Sequence, residues 1–184
     1  AARAAQLREL LPDIKEAFNE TFWDDQTGRY IGSIDVNGVK RDYGFTFLNA
    51  MAVMYGLADR TQADSIYGWL DGDRIVPGET STGADIYDWV WAPRANTVAI
   101  ESQQPYWWYS YNGAISVAPG GSATYGNHLE NGGAIFYTSY DDMMGRLKSG
   151  GGADSAFARM EQILAEFHQD ELRRDPANNV GATW

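Results

Sequence analysis

A mainly α-helical chain with short β-hairpins and one long aromatic loop is expected from three features. Apolar residues recur at helical spacing in at least four segments. Asp/Gly and Asn-Gly turns interrupt short runs of aromatic and branched residues near residues 22–39. Residues 73–131 lack such periodicity and are rich in Pro, Gly, Ser, Asn and aromatic side chains.

Each element follows in turn. Leu7, Leu10, Leu11, Ile14 and Phe18 fall on one face of a 3.6-residue period, with Pro12 inside it as an expected kink or restart. Phe22 to Ile31 reads as a hairpin about an Asp24-Asp25-Gln26-Thr27-Gly28 tip, and Asn37-Gly38 marks a second. Asp42 precedes Tyr43–Leu57, apolar nearly all round and therefore a buried helix. Thr61 is read as the cap of a helix to Leu70, with Ala63, Ile66, Tyr67 and Leu70 inward. Helical patterning resumes over 133–147, breaks at Ser149-Gly150-Gly151-Gly152, and returns with Phe157, Met160, Leu164 and Phe167 on one face.

Composition narrows the function. The 184 residues are one domain's worth at ~100–200 residues per domain, so 1–184 is read as a single domain. The net charge of −11 argues against a nucleic-acid partner, which needs cationic contacts to phosphate. No apolar run approaches the ~18 residues of a membrane helix, so no membrane partner is expected, and no signal peptide is visible. Without cysteine, disulfides, thiolate metal sites and cysteine nucleophiles are excluded, and localisation stays open. His128 and His168 are too few and too far apart for zinc. Asp24 and Asp25 are read first as a turn and second as a Ca²⁺ site, the only cofactor considered.

The 7 Trp, 11 Tyr and 7 Phe are the unusual feature, and the long loop concentrates them beside acids and little positive charge. Flat aromatic faces with acids and few cations suit a sugar, so a carbohydrate is the expected partner. Tyr125-Gly126-Asn127-His128-Leu129-Glu130-Asn131-Gly132-Gly133 is read as running directly into a helix. Glu130 is its acid/base candidate, and His128 orients it or binds substrate. The competing reading is a helix entry with Asn131 as cap and Glu130 in solvent. Asp88, beside Trp89, is a second acid; the alternative is a structural pair with Arg94. Trp107 and Trp108 offer stacking faces, or core. Asp42-Tyr43 is a weaker candidate at a helix start. Asp141-Asp142 is read as a solvated face or a pair with Arg146, four residues on.

Phe22-Trp23-Asp24 to Tyr30, Asp42-Tyr43-Gly44-Phe45 to Asp59, and Tyr125 to Arg146 with its Glu130-Asn131-Gly132-Gly133 core resemble the six-hairpin glycosidases. The resemblance implies an (α/α)6 toroid of helical hairpins, of which this chain supplies a segment, and hydrolysis of glycosidic bonds in an oligo- or polysaccharide. It places Glu130 and Asp88 in facing cleft loops as the catalytic pair, with Asp42 in reserve. Trp89, Arg94, Trp107, Trp108, Tyr125, His128, Asn131 and Tyr43 then bind substrate. Carboxyl groups ~5–5.5 Å apart retain configuration, and ~6.5–9.5 Å invert it. The alternative is a carbohydrate-binding or inactive barrel fragment. A fragment leaves the flanks of Tyr43–Leu57 and the last helix uncovered, and self-association is expected through them.

Overall fold

A computed structural model describes residues 2–103, 121 and 123–168. Trp107 and Trp108 lie outside the described residues.

Helix α1, Ala2–Phe22, opens the chain. It continues through Pro12, which has no N–H to donate to the Arg8 carbonyl and whose ring crowds it. No α1 residue is buried. Leu7, Leu10, Leu11 and Ile14 form the predicted stripe, yet each is more than two-fifths exposed, so the period specified the helix but not a partner for its face. Only its far end, Phe18 and Phe22, packs on the main core. Two antiparallel hairpins follow, β1 (Trp23–Asp24) with β2 (Arg29–Tyr30) and β3 (Ser33–Ile34) with β4 (Lys40–Arg41). In the second turn the Asp35 carboxylate accepts from the Asn37 and Val39 amides, which hold it below the usual carboxylate range.

Helix α2 covers Thr46–Met54, shorter at both ends than the predicted Tyr43–Leu57. Tyr43 and Phe45 are buried in extended chain instead, because residues 43–46 pair with 95–98: Thr46 N donates to Ala95 O, and Thr97 N and Val98 N donate to Gly44 O and Tyr43 O. Asp42 is therefore not at a helix start. Helix α3, Arg60–Leu70, is capped by Asp59 rather than Thr61: Asp59 Oδ1 accepts from Gln62 N, and Gln62 Oε1 accepts from Asp59 N. Its inward residues are the four expected, with Trp69 added. One 3-10 turn spans Gly83–Tyr87 and another Ile100–Ser102. Helix α4 is Thr138–Arg146, and α5 is Gly152–His168. The glycine-rich 132–133 step thus leads into turns and single bridges, not directly into a helix, and Asn131 caps nothing.

The α2 helix packs against α4 and α3, and α4 against α5. The main core is formed by Tyr30, Val53, Ile66, Tyr67, Trp69 and Leu70 with their neighbours. A second cluster joins Tyr43, Phe45 and Ile100, and a third joins Trp91, Ala92, Ala134 and Ile163.

The expected (α/α)6 toroid is not formed. Five helices and two two-stranded sheets are present among the described residues, and 184 residues are too few for six helical hairpins. The physical reason is that the helices do not alternate as inner and outer hairpins. Two of them leave apolar faces in solvent: the first turns of α1, and Phe157, Met160 and Leu164 of α5.

Candidate functional site

Residues 94–98 run between two other segments. On one side lies 43–46. On the other lies 131–134, where Arg94 bridges Ala134 and Ala95 N donates to Gly133 O at 2.6 Å. Three buried polar side chains fix this arrangement. Asn131 is wholly buried; its Nδ2 donates to Glu101 Oε2 and Ala123 O, both at 2.7 Å, and its Oδ1 accepts from Ile100 N. Asn96 is equally buried; its Nδ2 donates to Val98 O and its Oδ1 accepts from Gly132 N. Arg94 donates from Nη1 to Gly132 O (2.6 Å) and from Nε to Asp85 O (2.8 Å), and pairs with Asp85 and Asp88 at 3.1 and 3.0 Å. Burial opposes ionisation of Asp85, but the Ser81 hydroxyl and Arg94 outweigh it and hold its carboxyl below the usual range. Gly132 takes φ +82°, and a Cβ there would lie 2.8 Å from the Tyr125 ring and from Gly126 N, so only glycine lets the turn close.

This lacing shapes a cavity of about 190 Å³ lined by Trp89, Trp91, Asn127, His128, Leu129 and Gly133 among others. The two indoles lie 6.5 Å apart, centroid to centroid, at 51°. Trp91 is anchored behind by Phe136 and the third core cluster, while Trp89 is half-buried and carries the Arg94 guanidinium 5.0 Å from its centroid. The cavity is therefore lined by two indoles, Trp91 buried and Trp89 half-buried, and by the 126–129 turn with Gly133 and Ala134. Its size, below the ~300–1,000 Å³ of drug-sized pockets, matches a single small ring.

The sequence-selected residues divide sharply. Trp89 and His128 line the cavity. Asp88 immediately precedes Trp89, and Glu130 immediately follows Leu129 in the chain. Both acids are exposed, and neither is a lining residue. Glu130 N donates to His128 Nδ1 at 3.3 Å, which assigns that nitrogen as an acceptor. Arg94 ties the walls together. Tyr125 is partly buried; its hydroxyl donates to Asn96 O, and burial pushes its phenol up to about 12. Asn131 and Tyr43 are wholly buried, so their substrate-binding assignments give way to structural roles.

Asp42 belongs to a different cluster. Its Oδ2 accepts from Arg29 Nε (3.0 Å) and Nη2 (2.9 Å), and its Oδ1 from Gly44 N. Arg29 also pairs with Glu79, which accepts in addition from Trp69 Nε1 and Thr97 Oγ1. Arg29 sits 4.4 Å from the Trp69 ring centroid. Sequence reasoning gave Glu79 no role. Its partners lie up to 50 residues away, so no local spacing could show them. Asp24 and Asp25 spend oxygens on their own turn, accepting from Thr27 Oγ1 and Trp23 Nε1. Among the described residues no three His, Cys, Asp or Glu side chains gather as a metal site.

Comparison with protein-family models, with curated proteins and with solved structures gives no match.

Proposed function

We propose that this chain binds a carbohydrate through the Trp89/Trp91 cavity, one sugar ring at a time. The observation that carries the reading is the cavity's composition: two indoles together with His128, Asn127 and turn backbone. Sugars present both faces of this kind. Their C–H surfaces stack on aromatic rings while their hydroxyls need several polar partners. The cavity is held by buried hydrogen bonds, so little ordering entropy is lost on binding.

A second reading, hydrolysis of a glycosidic bond, is favoured by one observation: Asp88 precedes the lining residue Trp89, and Glu130 follows the lining residue Leu129. The same experiment examines both readings. The protein is titrated with mono- and oligosaccharides by tryptophan fluorescence, and product release from chromogenic glycosides is followed in parallel. Binding is expected to saturate, and Trp89→Ala to weaken it at least tenfold. If Glu130→Gln and Asp88→Asn abolish turnover while affinity is kept, the hydrolytic reading stands. Saturable binding with no turnover leaves the binding reading alone, and no binding across the panel overturns both.

A further inference from the structure

We propose a second ligand site, for a small oxyanion, in the cavity between the Gly83–Tyr87 turn and helices α4 and α5. This cavity is the larger one, about 540 Å³, and Tyr87, Arg146, Ser155, Arg159 and Gln162 are on its lining. It lies apart from the Trp89/Trp91 cavity and shares no lining residue with it.

The charges around it are unevenly spent. Asp71 and Arg146 form a bidentate pair, Nη1 to Oδ2 at 2.9 Å and Nη2 to Oδ1 at 2.5 Å. Arg146 Nε also donates to Asp142 Oδ1 at 2.9 Å, and Tyr87 donates its hydroxyl to Asp142 Oδ2 at 3.0 Å. Arg146 thus engages both carboxylates. Arg159 is left with a 3.4 Å approach of Nε to Asp142 Oδ2 and one hydrogen bond, from Nη1 to Gln162 Oε1. Its side chain is 6% exposed and lies over the Tyr87 ring at 3.8 Å. Its Nε and Nη2 have no hydrogen-bond partner among the described residues. Arg159 is thus a buried guanidinium whose Nη2 has no acceptor and whose Nε has only the 3.4 Å ion pair, in a residue on the lining of an open cavity, which is a costly arrangement unless an acceptor reaches it.

An oxyanion supplies that acceptor. The guanidinium fork matches carboxylate and phosphate oxygens alike, and the hydroxyl of Ser155 and the amide N–H of Gln162 add neutral donors on the same lining. Asp71 does not repel such a ligand strongly, because Arg146 already balances it. Asp142 contributes no acceptor toward the cavity: it is wholly buried and shared among Arg146, Arg159 and Tyr87. The cavity has room for a small organic acid as well as inorganic phosphate.

The test uses the full chain at constant ionic strength, with sodium succinate and inorganic phosphate as separate probes. Thermal unfolding and the ¹H–¹⁵N side-chain signal of Arg159 are followed against probe concentration. A saturable rise in Tm with a matching shift of the Arg159 signal is expected for at least one probe, and the probe that gives it identifies carboxylate or phosphate as the source. Arg159→Lys is expected to weaken it at least tenfold. Gln162→Glu, at an exposed position, places a carboxylate beside Arg159 and is expected to abolish probe binding while Tm without probe holds or rises. Flat titrations with both probes, or saturation unchanged in Gln162→Glu, would overturn the proposal.

Discussion

Replacing Arg94 probes how the two walls of the aromatic cavity are held. In Arg94→Met the aliphatic stem remains against Trp89, but the guanidinium is lost. Two backbone carbonyls lose a charged donor. Gly132 O lies in a buried residue, so its loss costs ~1–3 kcal/mol. Asp85 O belongs to an exposed residue and is rehydrated at small cost. The carboxylates of Asp85 and Asp88 are 48% exposed, so those ion pairs contribute only ~0–1 kcal/mol. The expected loss is about 1–4 kcal/mol on combining these contributions. Arg94→Lys keeps the charge but cannot reach Gly132 O and Asp85 O together, so it should lose about half as much. Urea unfolding followed by tryptophan fluorescence measures both. Amide exchange should quicken at Ala95 and Gly133 while α3 stays protected. A Met variant within ~0.5 kcal/mol of wild type, the range of neutral surface changes, would refute the argument.

Other changes test the supporting structure. Gly44 has φ +62°, and a Cβ there would lie 1.9 Å from Thr97 Oγ1, so Gly44→Ala should destabilise by more than the ~1–3 kcal/mol of backbone strain alone, measured by thermal unfolding. Glu79→Gln leaves Arg29 with only Asp42 and should cost about 3–5 kcal/mol in urea unfolding, as breaking a buried ion pair does; an unchanged midpoint would show that the cluster does not hold the fold. Tyr125 titrates near 12, and Tyr30, Tyr67 and Tyr87 are also raised by burial. The unfolded chain releases these protons near ~10 while the native state keeps them, so stability holds below that pH and falls as pH rises above it. Absorbance at alkaline pH should show these phenols ionising late, together with unfolding.

Much of the helical framework was legible because periodicity is local. The stripe of α1, the inward face of α3 and the Asp142–Arg146 pair all rest on neighbours three or four residues apart. What could not be read was what each face meets. Leu7 to Ile14 reads as a core face and lies in solvent. Tyr43 and Phe45 read as helix and are buried as extended chain, because their partners are Asn96 to Val98. Asn131 reads as a ligand or cap residue, yet it and Asn96, which drew no role, hold buried backbone ends together. At the candidate site, aromatic and polar residues of one loop pointed to Trp89 and His128. The Arg29–Glu79 pair, joined across 50 positions, left no local trace. The glycosidase resemblance implies a toroid, but the five helices among the described residues do not form one.

The central claim is that Trp89 and Trp91 form the wall on which a sugar ring sits. The most direct measurement is a ¹H–¹⁵N titration of the indole Nε1 signals, assigned by single Trp→Phe variants, against the oligosaccharide that binds best in the fluorescence panel. The account predicts that the Trp89 and Trp91 indoles and the Asn127 and His128 amides move together along one saturation curve. Movement confined to other tryptophans, with these four signals still, would contradict it.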